Sequence, residues 1–363
     1  MQLLDPQRFC GTLAGEAVAL YVLKNARGMV ACITNYGAKI EQLVVPDRNG
    51  VFADVVLGYG SLYDAVAGAS SMGSFIGRYA GRIENATFAL NGTSYQLSAN
   101  DGPHCLHGGM RGSRFRVFDA VQCDDSSVEM RYVFTDGEEG FPGMLELRLV
   151  YTVTEANELV IAYEGTAINK PTVASFTTHA YFNLNGESSG GALGHEVMIC
   201  ADRYFAMNTA LIATGQLLPV AETPYDFRRA AVLGARVSDS ASVYGGSMSG
   251  SHLVDGYDCC YLINRAAGST GLALAAHTRA PESGRVMEVW STEPAMQFYT
   301  GLQAQEPLPG GPGKSGARYF QQQSLCFEPQ AYPNAPNLPQ FPSALYAPGV
   351  TRRGKTMYRF STS

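Results

Sequence analysis

The sequence predicts an all-β protein, one large antiparallel β-sandwich with its sites on loops or on one concave sheet face. Three observations carry this. Apolar and β-branched runs recur along the chain with turn residues between them. Stretches such as Leu145-Glu146-Leu147-Arg148-Leu149 alternate apolar and polar residues, which gives a strand one buried and one wet face. No long segment keeps helical spacing.

In chain order, strands are expected over residues 17–23, 29–34, 40–45 and 54–57, with Pro46-Asp47-Arg48-Asn49-Gly50 as a turn cluster among them. Residues 61–67 read as a short helical turn. Asn91-Gly92, between 87–90 and 94–97, is a type I′ hairpin signal. Further strands follow over 116–121, 128–134, 145–153 and 159–168. The Gly/Ser-rich stretch 186–194, the small polar stretch 230–251, and 307–316 with its Pro309-Gly310-Gly311-Pro312-Gly313 run read as loops. Strand-like sequence resumes after each of them, so the chain reads as a single domain over 1–363 with no internal repeat.

Composition narrows the function. The 363 residues could make two average domains, although large all-β units exceed the usual single-domain length. Lys plus Arg total 26 against 32 Asp plus Glu, a net charge of -6 with no basic run, which argues against nucleic acid and acidic membrane surfaces as partners. The N-terminus lacks the basic start and apolar core of a signal peptide, and no 18-residue apolar run follows, so a soluble cytoplasmic protein is expected. Eight cysteines show neither metal-finger spacing nor the density of a small secreted scaffold, and reduced thiols are the simplest account. The oligomeric state is left open between monomer and homodimer.

Chemistry concentrates between residues 73 and 109. Gly77-Arg78-Tyr79-Ala80-Gly81-Arg82 is followed by the hairpin and then by Asp101-Gly102-Pro103-His104-Cys105-Leu106-His107-Gly108-Gly109, which places two of the six histidines near two arginines. His104 and His107 flank a cysteine but lack the further ligands of a closed zinc site, and a His before Gly-Gly is commonly a turn residue bonded to backbone. Partners must therefore come from elsewhere. Three strand-like segments offer them: His179 among aromatics in Phe176-Thr177-Thr178-His179-Ala180-Tyr181-Phe182-Asn183-Leu184, Asp258 ahead of an apolar strand, and Glu328 closing Leu325-Cys326-Phe327-Glu328. Separately these read as a satisfied core histidine, a turn cap and an edge residue. Together they supply a carboxylate that can accept a proton, an imidazole that can give one near neutral pH, and groups suited to sugar hydroxyls. Glu is a weak base at its ordinary pKa of about 4.3, and burial beside apolar neighbours strengthens it. No Gly-x-Gly-x-x-Gly or P-loop sequence is present to hold a nucleotide.

The same residues resemble the aldose 1-epimerase (galactose mutarotase) family over nearly the whole chain. The resembling blocks are Asn35-Tyr36-Gly37-Ala38, Gly77 to Ile83, Leu106-His107-Gly108-Gly109, Asp136 to Gly143, His179 to Leu184, Thr223 to Arg228, Gln297 to Gly301 and Phe327 to Asn337. The resemblance implies a β-supersandwich of antiparallel sheets acting on a free monosaccharide with no metal or organic cofactor. It implies that Glu328 takes the proton from the anomeric hydroxyl while His179 protonates the ring oxygen. It also implies that Arg82, His107, Asp258 and Gln297 bind the sugar, with Tyr181 lining the same pocket. His107 would also help hold charge on the ring oxygen. Five positions depart from the family pattern: Gly81 where Asn is common, Thr178 for Asn, Cys259-Cys260 for His-Asn, and Pro329 for Thr. They leave hexose and pentose both open as substrates.

Two alternatives sit beside this reading. Asp258 and Glu328 could be a glycosidase pair, although an acidic His fits that two-carboxylate scheme poorly. A non-catalytic sugar-binding or sensor module would need neither the acid nor the base. For a phosphorylated-sugar epimerase, no second cationic cluster is visible in the sequence.

Overall fold

In the computed structural model, residues 2–68, 71–237, 256–301, 313–316, 318–320 and 322–363 are described. Three antiparallel sheets organise them. The nine-stranded sheet runs in the order Asp119–Asp124, Ser127–Phe134, Leu145–Val153, Glu158–Ala167, Thr351–Thr362, Arg285–Ser291, Ala273–Arg279, Glu196–Ile199 and Ala231–Val232. The five-stranded sheet runs Ala213–Pro219, Arg203–Met207, Asp258–Leu262, Ala295–Tyr299 and Cys326–Gln330. The four-stranded sheet runs Leu20–Lys24, Val30–Thr34, Lys39–Pro46 and Phe52–Asp54.

Burial alternates with period two along Leu145–Val153 and Glu158–Ala167 of the large sheet, whereas Lys39–Pro46 and Cys326–Gln330 of the other two are buried on both faces. Leu147, Leu149, Ile161, Val289 and Tyr358 of the large sheet join Tyr261, Met296, Phe298 and Phe327 of the five-stranded sheet in one buried cluster, with Ile33 and Leu43 from the third. The Tyr358 hydroxyl donates to the Phe327 carbonyl at 2.9 Å, tying two sheets across the core. The expected alternation of Leu145–Val153 holds over the whole strand. The residues between those core positions on the five-stranded sheet face the opposite way, and they build the site.

Several local expectations hold as written. Asn91 and Gly92 both have positive φ, 50° and 79°, as a type I′ turn needs, and the flanking strands pair in register. The short helix is Leu62–Ala67, capped by the Ser61 side chain. Other boundaries move, each for a visible reason. The run at 17–23 splits into Glu16–Val18 and Leu20–Lys24, because the Ala19 N–H turns to the Asn35 side chain. The strand expected at 54–57 ends at Asp54; beyond it the backbone pairs instead with the 181–183 segment, through Leu57 N–H to the Tyr181 carbonyl and Asn183 N–H to the Val55 carbonyl. The strand expected at 116–121 begins at Asp119, since Phe118 is held by the Asn35 carbonyl. Within the expected 230–251 loop, Ala231–Val232 is the last strand of the large sheet, and residues 238–251 lie outside the described residues. Of the 307–316 stretch, 307–312 also lie outside them, while buried Lys314 donates to Asp54 and to the Glu41 and Val56 carbonyls.

Candidate active site

The last three strands of the five-stranded sheet, Asp258–Leu262, Ala295–Tyr299 and Cys326–Gln330, bring rows of side chains to one face. Asp258, Tyr299 and Cys326 are register partners, as are Cys260, Gln297 and Glu328. With the segments around Gly81, His107 and His179 they enclose a cavity of about 300 Å³, at the small end of ligand pockets. All seven site residues expected from sequence line it: His179, Glu328, Arg82, His107, Tyr181, Asp258 and Gln297.

His179 follows the short strand Thr177–Thr178, which pairs with Phe75–Ile76. Its N–H donates to the Ser74 carbonyl at 2.8 Å, and its own carbonyl accepts from Gly73 at 2.9 Å. This close approach depends on Gly73, which has φ +73° and where a Cβ would sit 2.4 Å from the Ile40 carbonyl oxygen. Fully buried Lys39 braces the same segment by donating to the Ser74 hydroxyl at 2.8 Å. The His179 ring stacks on Tyr181 at 4.9 Å and 9°, with His107 edge-on at 5.5 Å and Tyr299 edge-on at 6.1 Å. The imidazole is therefore held in one plane, with Nε2 lying 3.6 Å from Glu328 Oε1.

Electrostatics set the state of this pair. Burial pushes Glu328 well above the usual carboxylate range, and the neighbouring Asp258 adds to it. Burial pushes His179 down to about 3, helped by the charge of Arg114. Nδ1 of His179 is buried with no hydrogen-bond partner among the described residues, so an imidazolium would leave one N–H unsatisfied by them. Burial therefore favours a protonated carboxyl facing a neutral imidazole, with one proton for the two groups. His107 is also held well below its ordinary value, first by burial and then by His179. Its Nδ1 accepts the Gly81 N–H at 3.3 Å, which fixes the tautomer with Nε2–H as donor.

The remaining groups are tethered as well. Arg82 Nε donates to Asp101 at 2.6 Å, and the Gln297 amide donates to Asp258, whose carboxyl is raised by burial. The two arginines of the Gly77–Arg82 motif separate in role. Arg78 is buried and donates to the Pro142 and Gly143 carbonyls and to the Thr172 hydroxyl, so it is structural, whereas Arg82 reaches the pocket. His104 stays outside the pocket as a turn residue, its Nδ1 accepting the Asn85 N–H at 3.0 Å.

The departures divide by strand face. Cys259 and Pro329 alternate away from the pocket, Cys259 within the core cluster. Cys260 shares the pocket face, where Gln330 Nε2 lies 3.9 Å from its sulfur. Gly81 borders the cavity, and a Cβ there would meet Gln330 no closer than 3.6 Å. Thr178 is buried, paired with Phe75.

Sequence reasoning missed Tyr299, Gln330, Asp101, Arg114, Ser71 and the apolar lip formed by Met207 and Leu211. The first two could have been found by stepping two residues along a strand from Gln297 and Glu328. Arg114, by contrast, lies in a turn with no local signal. Folding brings it into the same cavity as Arg82, as one added cation rather than a second cluster.

Among the described residues, His179, Cys326 and Glu328 form the one trio whose ligand atoms lie within 4.8 Å of one another, as a metal site would need. Burial pushes the Cys326 thiol well above its ordinary value, and the neighbouring Glu328 adds to it.

The aldose 1-epimerase family model matches residues 19–359. The human protein named galactose mutarotase is 36% identical over 331 residues, covering 91% of each chain. The Escherichia coli (strain K12) aldose 1-epimerase is 32% identical over 349 residues, covering 95% of this chain and 96% of that one. The crystal structure of a GalM/aldose epimerase homologue from C. elegans superposes with a TM-score of 0.84 at 27% identity, covering 95% and 99%. On the family match across nearly its full length, the chain belongs to the aldose 1-epimerase family.

Proposed function

We propose that the protein interconverts the α and β anomers of free aldoses, with Glu328 and His179 as the proton-transfer pair. The observation that carries this reading is their placement 3.6 Å apart on the wall of a cavity that also holds Arg82, His107, Asp258 and Gln297.

Mutarotation needs one proton removed from the anomeric O1 and one delivered to the ring oxygen. Glu328 takes the first and His179 gives the second as the C1–O5 bond breaks, leaving an open-chain aldehyde. The C1–C2 bond turns, and closure from the other face returns both protons. During the open-chain stage Glu328 is protonated and His179 neutral, which is the pattern burial favours. The site thereby stabilises the intermediate relative to the ionised pair that must attack the ring. His107 Nε2–H is a fixed donor beside the imidazole, suited to charge developing on the ring oxygen. Arg82, Asp258 and Gln297 hold hydroxyls, and Tyr181 orients the His179 ring.

Polarimetry of freshly dissolved α-D-glucose, galactose, xylose and L-arabinose tests the reading and sorts hexose from pentose. Acceleration by the native chain that largely disappears in Glu328→Gln and in His179→Asn is expected. Native-like rates in both variants would remove these role assignments.

A further inference from the structure

We propose that the pocket also accepts aldoses carrying an anion on the C6 arm, with Arg114 as the group that holds it. The inference rests on the mutarotase reading, because it uses the position of the ring oxygen beside His179.

Arg114 comes from the turn Ser113–Phe115 just after the His107 loop and lines the same cavity as the proton-transfer pair. The two arginines there are not equivalent. Arg82 already has the Asp101 carboxylate at 2.6 Å. Among the described residues Arg114 has a single hydrogen bond, from Nη1 to the neutral Ser71 hydroxyl at 3.2 Å, and lies 4.7 Å from the Phe115 ring. Its Nε is buried with no acceptor among the same residues. Glu139 lies within electrostatic reach but makes no ion pair with it, and one Glu139 oxygen is itself buried and unpartnered. A largely desolvated guanidinium without a hydrogen-bonded ion pair is costly, and a bound anion would relieve that cost.

The other acids of the cavity are engaged elsewhere. Asp101 pairs with Arg82, Asp258 accepts from the Gln297 amide, and Glu328 faces His179. Position then selects the part of the sugar concerned. Arg114 Nη1 bonds Ser71, in the 71–74 turn whose Gly73 and Ser74 hold the His179 backbone, whereas Glu328 stands on the five-stranded sheet. It therefore lies on the His179 side of the pair, the side assigned above to the ring oxygen. The ring oxygen is flanked by C1 and C5, and C5 carries the C6 arm. A C6 carboxylate and a C6 phosphate share the chemistry a guanidinium recognises.

The test follows anomer exchange by polarimetry with the full chain on D-galacturonate, its methyl ester, D-galactose 6-phosphate and D-galactose. The expected result is a kcat/KM about 10- to 100-fold higher for an anionic sugar than for its uncharged counterpart, ester or galactose respectively, the size of one charge-assisted contact. The two arms identify which anion the site takes. The preference should shrink at least about tenfold in Arg114→Gln and be partly kept in Arg114→Lys. Galactose accelerated with neither anion preferred, or a preference that survives Arg114→Gln, would overturn the Arg114 assignment and leave the mutarotase reading standing. The ester comparison needs only the native chain, so it does not depend on how the variants fold. No acceleration on any sugar would overturn both.

Discussion

Glu328→Gln should separate catalysis from folding, and the structure sets both sizes. The variant keeps the shape of the side chain and removes its ability to exchange a proton. A positioned acid or base is typically worth about 10²–10⁴ in rate, or about 3–5 kcal/mol of barrier. Stability should move the other way. The buried carboxyl is held well above its ordinary pKa in the folded chain. A group shifted upward contributes its stability below the unfolded pKa, and that contribution is lost as pH rises towards the folded value. Glutamine has no proton to lose, so the variant should match the native chain near pH 4 and exceed it near pH 8. The assay pairs anomer-exchange rates with urea denaturation at the two pH values. A variant that retains activity within threefold, or that loses activity and stability together at pH 8, would refute the reasoning.

Three further outcomes follow from named contacts. With His179 held at about 3, kcat/KM should stay level as pH falls through 6.5 and decline only on approach to 3, while the alkaline limb follows the raised Glu328 carboxyl; an acid limb centred at 6.5 would mean that the imidazole is solvated. Lys314→Met should lower stability by about 3–5 kcal/mol, because it strands buried Asp54 2.6 Å from a lost cation, and urea denaturation at neutral pH checks it. Gly81→Asn should fold, since Asn tolerates the φ of +78° and the nearest atom to its Cβ, on Gln330, is 3.6 Å away; the added amide borders the cavity and should change KM values among sugars more than kcat.

The strand pattern and the site were legible in the sequence to different depths. Leu145–Val153 announced both its extent and its buried face because nothing competes with the ladder along it. The limits near 54–57 and 116–118 could not be read locally, since Asn35 and the 181–183 segment claim those backbone groups from far along the chain. His179 and Glu328 stood out as polar residues in apolar strands, and the fold brings them together. Residue chemistry alone did not say that Arg78 is structural and Arg82 is not; that depends on the 142–143 carbonyls lying beside Arg78. Arg114 was invisible because a turn residue gains its surroundings only when sheet and loops close around it. Nor did ordinary pKa values foretell a neutral pair, because burial and the unpartnered Nδ1 decide it.

The central claim is that His179 and Glu328 act as one unit around a single shared proton, and a double-mutant cycle tests it most directly. Anomer exchange of equilibrated galactose, measured by magnetisation transfer, would be compared for the native chain, His179→Asn, Glu328→Gln and the double variant. Groups that act as a unit are strongly non-additive. A double variant within about threefold of the slower single variant is expected. Rate losses that multiply would contradict it, because each side chain would then be working without the other.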